Sequence, residues 1–206
     1  TIAMIATMAV SQAQETKKAK NPAVKFGLKT GLNYSSASIE REFSNDVNPR
    51  IGLVSGIFTN IRLSSKLSFQ PEVLYSTQGY NEKYNTSFGS RDTDVKLSYV
   101  NIPLEFQYKI MEKLYIETGP QIGFLLSAKA DDTYSSIFTN TTTEQKNVDI
   151  KKDSNKHMIS YTFGAGYSIT NNLSASLRYN LGVTQIDTSS EISVKNNVLQ
   201  IGLGCN

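Results

Sequence analysis

Apolar and polar residues alternate along most of the chain with a period of two. In the stretch YVNIPLEFQYKI, residues 99–110, Val100, Ile102 and Leu104 share one face while Asn101 and Glu105 lie on the other. Such alternation is typical of a β-strand whose two faces meet different surroundings. Eight segments of this kind are predicted, at 24–34, 51–63, 67–78, 97–109, 114–128, 158–169, 173–184 and 197–205. No segment has the 3.6-residue period of an amphipathic helix, so the sequence predicts an all-β protein.

The connections between the predicted strands alternate between short and long. The short ones are 64–66, 110–113 and 170–172, whereas the long, polar ones are 35–50, 79–96, 129–157 and 185–196. Tight turns on one side and long loops on the other are typical of outer-membrane barrels. We therefore expect an eight-stranded antiparallel up-and-down transmembrane β-barrel with short periplasmic turns and long extracellular loops.

The two faces of the predicted strands differ sharply in composition. One face carries large aliphatic and aromatic side chains and no charge. The other face carries most of the glycines and every charged residue of the spans, namely Lys25, Lys29, Arg62, Glu72, Glu105, Lys109, Glu117 and Arg178. A water-soluble barrel would expose the glycines, which weaken a strand without any gain in packing. A membrane barrel turns the apolar face to lipid, where a midplane Arg or Lys costs about 2–4 kcal/mol. We therefore expect the small and polar face to fill a narrow lumen.

The N-terminal segment and the overall composition set limits on location and partners. Residues 1–13, TIAMIATMAVSQA, resemble the end of a secretory signal peptide, with a short buried helix as the alternative. Residues 14–23 read as a polar linker, and residues 24–206 as the barrel. The net charge of +3 is too small to indicate nucleic-acid binding, and the single Cys205 cannot form an internal disulfide.

Five charged residues on the polar face are the main candidate site. Glu72, Glu105 and Glu117 lie on three consecutive predicted strands, and Lys29 and Arg178 share their face on the first and seventh strands. Because buried charges need partners, we expect an ion-pair network that fills and closes the lumen. A proton or cation path is the alternative. Paired carboxylates also occur in glycosidases, but a filled lumen leaves no room for a sugar.

The longest predicted loop, residues 129–157, is the second candidate. Rigid scaffolds often carry function on their loops, so we expect partner contacts there, with a solvated loop that binds nothing as the alternative. The candidate residues are Asp131, Asp132, Tyr134, Phe138 and His157. His157 is the only histidine, and no motif spacing joins it to a serine and an acid. The neighbouring acids lack the pattern of a calcium loop, so we predict no catalytic residue, no metal and no cofactor.

Prolines occur within two adjacent predicted strands, Pro103 in the fourth and Pro120 in the fifth. Proline cannot donate to a β-ladder, and a closed barrel has no free edge on which to place one. We therefore predict a local bulge or break in the ladder near these two residues.

Three segments carry a family resemblance. FQPEVLYS at 69–76, YVNIPLEF at 99–106 and GPQIGFLL at 119–126, in this order and spacing, resemble the PorT-like, porin-family outer-membrane β-barrel domain. The resemblance covers nearly all of residues 24–206. It implies a barrel in the outer membrane of a diderm bacterium, exported by a signal peptide, and it implies no reaction. A few members of that family are linked to the secretion of other proteins.

These observations favour a structural or interaction protein, acting in adhesion or as an accessory of an envelope complex. The expected partners are outer-membrane lipid and an envelope or extracellular protein contacted through residues 79–96 and 129–157. We expect a monomer that binds no nucleic acid. A narrow pore for ions or small solutes is the first alternative, and a lipid-modifying enzyme at the barrel rim is the second.

Overall fold

The computed structural model describes residues 24–39, 46–86, 89–137, 139, 141–152, 154–186 and 194–206. The signal segment and the polar linker predicted for residues 1–23 lie outside the described residues. The described ranges contain nine strands: β1 (Val24–Ile39), β2 (Asp46–Arg62), β3 (Leu67–Thr86), β4 (Gly89–Lys109), β5 (Leu114–Ser136), β6 (Thr141–Asp149), β7 (His157–Ser168), β8 (Leu173–Gly182) and β9 (Val194–Cys205). They include no helix long and apolar enough to span a bilayer.

Eight of these strands form a closed ring. Its order is β1, β2, β3, β4, β5, β7, β8 and β9, and β9 pairs back onto β1. Every pair is antiparallel, so the chain runs up and down around the barrel. A closed ring satisfies the backbone hydrogen bonds of its strands internally, as lipid requires. The predicted eight-stranded up-and-down barrel is confirmed.

The ninth strand, β6, is the main departure from the predicted topology. Residues 129–157 are not one long loop, because β5 continues to Ser136 and the chain returns as β6, which pairs only with the outer end of β5. Residues 79–96 are likewise mostly strand, in the extended hairpin of β3 and β4. The prediction of loops was wrong here because both faces of β6, TTTEQKNVD, are exposed. Such a strand has no alternation of apolar and polar residues.

The outward face of the barrel is an apolar belt. Phe26 and Ile51, for example, are 75% and 70% exposed. Further outward residues with large exposed fractions are Leu32, Leu53, Ile57, Phe163, Leu177 and Ile201. The inward positions of the same strands are buried, among them Lys29 and Asn33. So large an exposed apolar surface indicates contact with lipid.

The lumen is less polar than predicted. It contains several large buried apolar side chains, and those at the outer mouth form a cluster that includes Leu97, Tyr99, Leu125, Met158 and Ile186. The prediction of a small and polar lumen was wrong at this end. Period-two alternation distinguishes the two faces of a strand by polarity, and here both faces are apolar.

Proline interrupts the ladder on two sides of β4. The β3–β4 ladder skips Ile102 and Pro103, and the β4–β5 ladder skips Gly119 and Pro120. The register is the same on both sides of each gap, so these are breaks and not bulges. The missing proline N–H explains them, and the predicted break is confirmed. A register shift occurs farther out, between Ser98 and Tyr99.

Candidate functional site

The structure brings together the five charged residues that were predicted to line the lumen. Their side chains are between 0% and 4% exposed. They come from five different strands: Lys29 on β1, Glu72 on β3, Glu105 on β4, Glu117 on β5 and Arg178 on β8. Alternation along each strand turns all five inward, and closure of the ring places them in one cross-section.

Arg178 lies at the centre of this lumen network. Its Nη1 and Nη2 atoms donate to the two carboxylate oxygens of Glu72 at 2.8 and 2.7 Å. Its Nε and Nη2 atoms donate to Glu117 at 2.5 and 3.0 Å. The planar guanidinium therefore makes a two-bond contact with each of two carboxylates, a geometry that a lysine ammonium cannot provide. Lys29 adds a weaker contact, with its Nζ atom 3.4 Å from Glu72.

A layer of amide side chains supports the network on its periplasmic side. Gln70 donates to Glu72 at 2.7 Å, and Gln107 donates to Glu117 at 3.0 Å. Asn60 in turn donates to the side-chain oxygens of Gln70 and Gln107 at 2.9 and 2.8 Å. These three residues were not predicted from the sequence. Their inward position in the strand alternation, on the same face as the charged residues, is the signal that could have identified them.

Glu105 differs from the other two acids. Both of its carboxylate oxygens are buried without a hydrogen-bond partner among the described residues. Its nearest cation is Arg178, whose Nη1 atom is 3.9 Å away. The network contains three carboxylates and two cations, so it carries one excess negative charge when every group is ionised. Glu105 is the residue on which that excess is least compensated.

A second polar layer lies farther out in the lumen. Asn33 and Gln78 both donate to the Ser76 hydroxyl at 2.8 Å, and Asn196 donates to Gln78. The apolar cluster around Tyr99 closes the outer mouth. From periplasm to surface, the lumen therefore holds amides, ion pairs, amides and apolar side chains.

The acids of the predicted loop 129–157 belong to an ordered sheet above the membrane. Lys96 donates to Asp131, and Arg91 donates to both carboxylate oxygens of Asp132, through Nε at 2.9 and 3.0 Å. The hydrogen bond from Lys96 lowers the pKa of Asp131, and the hydrogen bond from Arg91 lowers the pKa of Asp132. The backbone N–H of Asn147 also donates to Asp131 at 2.8 Å. These acids are therefore engaged by cations of the chain itself.

Of the remaining loop candidates, Tyr134 lies on the same strand as these acids, whereas His157 begins a different strand. Tyr134 is 48% exposed. Phe138 lies outside the described residues. His157 is the exposed first residue of β7, and its ring meets that of Phe124 edge-on with centroids 5.5 Å apart. Ser160, one conceivable partner of His157, is buried in the lumen and belongs to the other face of β7.

Comparison with known proteins identifies the family. The outer membrane protein beta-barrel domain profile matches residues 12–188. The chain belongs to this family. It is accordingly an outer-membrane protein of a Gram-negative bacterium. A search of curated protein sequences finds no match.

One solved structure supports the same fold, and a second aligns less well. Neisserial surface protein A (NspA) aligns with a TM-score of 0.50 at 15% identity, covering 89% of this chain and 99% of that chain. Ail, the attachment invasion locus protein of Yersinia pestis, aligns with a TM-score of 0.49 at 13% identity, covering 90% and 99%. The alignment with NspA, at this low identity, shows the fold of a small outer-membrane barrel and nothing more specific.

Proposed function

We propose that this barrel is an interaction protein of the cell envelope and contacts a protein partner outside the membrane. The observation that carries the proposal is the extracellular sheet, which we define as residues 79–86, 89–97, 128–136 and 141–149. These strand segments continue past the apolar belt as paired antiparallel strands, with one register shift between Ala130 and Asp132 in the β5–β6 ladder. A barrel that only filled the membrane would need no such extension, because its strands could turn at the rim.

The extracellular sheet presents a row of side chains suited to protein recognition. Tyr84, Arg91, Tyr134 and Thr143 are ladder partners on four adjacent strands, so they share one face at one level. The two tyrosines are 49% and 48% exposed. Tyr and Arg are enriched among residues that dominate the binding energy of interfaces. Bidentate pairing with Asp132 holds Arg91 in place, which reduces the entropy lost on binding.

The edge of β6 is a second feature that supports partner contact. In the part of the chain that the structure describes, β6 pairs with β5 on one side and with no strand on the other. An unpaired strand edge offers backbone N–H and C=O groups that can receive a strand of another protein.

The filled lumen argues against the narrow pore. Ions would have to pass both the cross-section occupied by Arg178 and the apolar cluster at the outer mouth. Displacing Arg178 would break its contacts with two buried carboxylates, which is strongly unfavourable. The rim-enzyme alternative has little support, because His157 and Ser160 lie on opposite faces of β7.

We also infer that the chain is a lipid-surrounded monomer of the PorT-like branch, serving an envelope complex. The assignment to this branch is supported by three sequence segments that follow one another in the family's order, at 69–76, 99–106 and 119–126.

A photo-crosslinking amino acid placed at Tyr134 in living cells tests the partner contact, with Tyr179 on the lipid face as the matched control. We expect a discrete protein adduct from position 134 alone. The same adduct from both positions, or none from positions 134, 84 and 143, would contradict the proposal.

A further inference from the structure

One sector of the extracellular rim, beside β5 and β7, is cationic. It lies directly beyond the lipid-facing residues Phe124 and Leu126. We call it the rim patch, and it consists of Lys129, Lys151, Lys152, Lys156 and His157. Lys129 is an exposed residue of β5, between the buried Ala128 and Ala130, so it points away from the lumen.

Specific contacts hold the rim patch at the edge of the membrane. The Lys151 ammonium donates to the backbone carbonyl of Leu126 at 2.8 Å. The backbone of the connection between β6 and β7 follows β5 closely, since Leu125 N–H donates to the Lys156 carbonyl at 2.9 Å. The ring of His157 rests against Phe124. These lysines are therefore positioned by the barrel wall and are not carried on a distant loop.

The lysines of the rim patch lack carboxylate partners in the described part of the chain. Other basic groups of the extracellular sheet are paired in contrast, as Arg91 is with Asp132 and Lys96 with Asp131. Asp149 is the ladder partner of Lys129, but its carboxylate accepts the backbone N–H of Lys151 at 2.9 Å and forms no ion pair among the described residues. Asp153, the other acid of this connection, lies outside the described residues. Even with both acids counted, the four lysines leave a net charge of +2.

Positive charge is densest in this sector. Just beyond the apolar belt, the outward residues of β1 and β3 are the uncharged Ser36 and Thr77. Farther out, Lys96 on β4 is the ladder partner of Lys129 but is paired with Asp131, and β9 carries one outward lysine, Lys195. A charge needed only for general solubility would have no reason to gather on one side of the rim.

We propose that the rim patch binds the phosphate groups of a lipid in the outer leaflet, a phosphorylated glycolipid whose acyl chains lie along Phe124, Leu126 and Ile159. Phosphate carried by a lipid headgroup is the anion present at this height, where apolar side chains give way to lysines. Lysine ammonium groups bind phosphate as point charges, and basic patches beside a membrane surface attract anionic headgroups. The site is independent of the partner proposed for the extracellular sheet.

Native mass spectrometry of the folded barrel in neutral detergent tests this site. The probe is diphosphorylated lipid A, compared with the same lipid after removal of both phosphates and with inorganic phosphate alone. The test variant changes Lys129, Lys151, Lys152 and Lys156 to Gln. The control variant changes four periplasmic lysines to Gln and loses the same charge: Lys25, Lys66, Lys109 and Lys113. We expect the test variant to bind the phosphorylated lipid about tenfold or more weakly, and the control to stay within about twofold of wild type.

Several results would overturn the proposal. Equal affinity of the test and control variants would show that the rim patch does not bind the lipid. Equal binding of the dephosphorylated lipid would show that acyl chains alone account for the contact. Displacement of lipid A by inorganic phosphate at equal concentration would identify free phosphate as the ligand. If the fourfold variant fails to refold, the double variant Lys152→Gln/Lys156→Gln changes only exposed side chains and is expected to lose affinity in the same direction.

Discussion

The contrast between two buried acids gives the sharpest test of the lumen network. Glu72→Gln and Glu105→Gln make the same chemical change on adjacent strands of one barrel, in residues that are both fully buried. Glu72 accepts hydrogen bonds from Arg178 at 2.7 and 2.8 Å and from Gln70 at 2.7 Å, whereas Glu105 accepts none among the described residues. The two substitutions should therefore change the free energy of unfolding by different amounts.

The expected magnitudes follow from these contacts. Glu72→Gln removes the charge that faces Arg178 and Lys29 and leaves the guanidinium with one compensating carboxylate instead of two. Breaking a buried ion pair in this way costs about 3–5 kcal/mol. Glu105→Gln removes the carboxylate that accepts no hydrogen bond among the described residues and whose only ion-pair contact there is 3.9 Å long. We expect that variant to lie within about 1 kcal/mol of wild type or to exceed it in stability.

Unfolding of the refolded barrel in lipid vesicles measures both changes. The chain has no Trp, so far-UV circular dichroism and the mobility shift of the folded barrel in gels are suitable probes of urea unfolding. Equal losses of stability for the two variants would refute the assignment of partners within the network. A loss below about 1 kcal/mol for Glu72→Gln would show that the Arg178 contacts contribute little.

Three further predictions concern other layers of the molecule. Met158→Ala in the apolar cluster should lower the free energy of unfolding by about 2–5 kcal/mol in the urea assay, because the site cannot collapse fully. The pKa of Asp132 is lowered in the folded protein, so its pairing with Arg91 stabilises the fold at pH values above the ordinary carboxyl pKa. This stabilisation is lost as the pH falls through the folded-state pKa. The protection of backbone amides in the extracellular sheet against hydrogen exchange, relative to their intrinsic rates, should therefore fall on acidification below about pH 4, before protection in the barrel does. Gly119→Ala should destabilise more than Gly202→Ala in urea unfolding, because a Cβ atom would lie 2.0 Å from a backbone oxygen at Gly119 and 3.1 Å from the flexible end of Lys29 at Gly202.

One experimental result would contradict each of these three predictions. Unchanged stability of Met158→Ala would mean that the outer mouth is loosely packed. If Asp132→Asn at neutral pH leaves exchange in the extracellular sheet at the wild-type rate, the Arg91 pair does not hold that sheet. Equal stability of the two glycine variants would show that the close approach at Gly119 relaxes without cost.

Most of what could be predicted from the sequence came from strand parity, that is, from the rule that alternate residues of a strand share one face. Glu72, Glu117 and Arg178 fall on the polar face of their strands, and closure of an eight-stranded ring then brings them together. The isolation of Glu105 could not be predicted, because it depends on how neighbouring strands are staggered and on which carboxylates the single guanidinium reaches.

In the outer parts of the molecule, the inward face of the strands is not the polar face. Leu97 and Tyr99 lie on the lumen side although they are apolar, since the mouth of the barrel is closed by packing and not by ion pairs. The strand β6 has exposed residues on both faces, so hydrophobicity gave no sign of it. Its position depends on backbone pairing with β5, which sequence periodicity does not report.

Conductance across a planar lipid bilayer tests the central claim, that side chains close the lumen and the protein acts through its extracellular surface. We predict that folded wild-type protein inserts into the bilayer without producing conductance steps, because Arg178 and the apolar cluster occupy the cross-section of the lumen. The conductance of the Glu72→Gln variant, in which the lumen network is disrupted, is measured for comparison with that of the wild-type protein. Steady conductance steps from the wild-type barrel, with an ion selectivity that changes in Glu105→Gln, would contradict the account and establish the lumen as a pore.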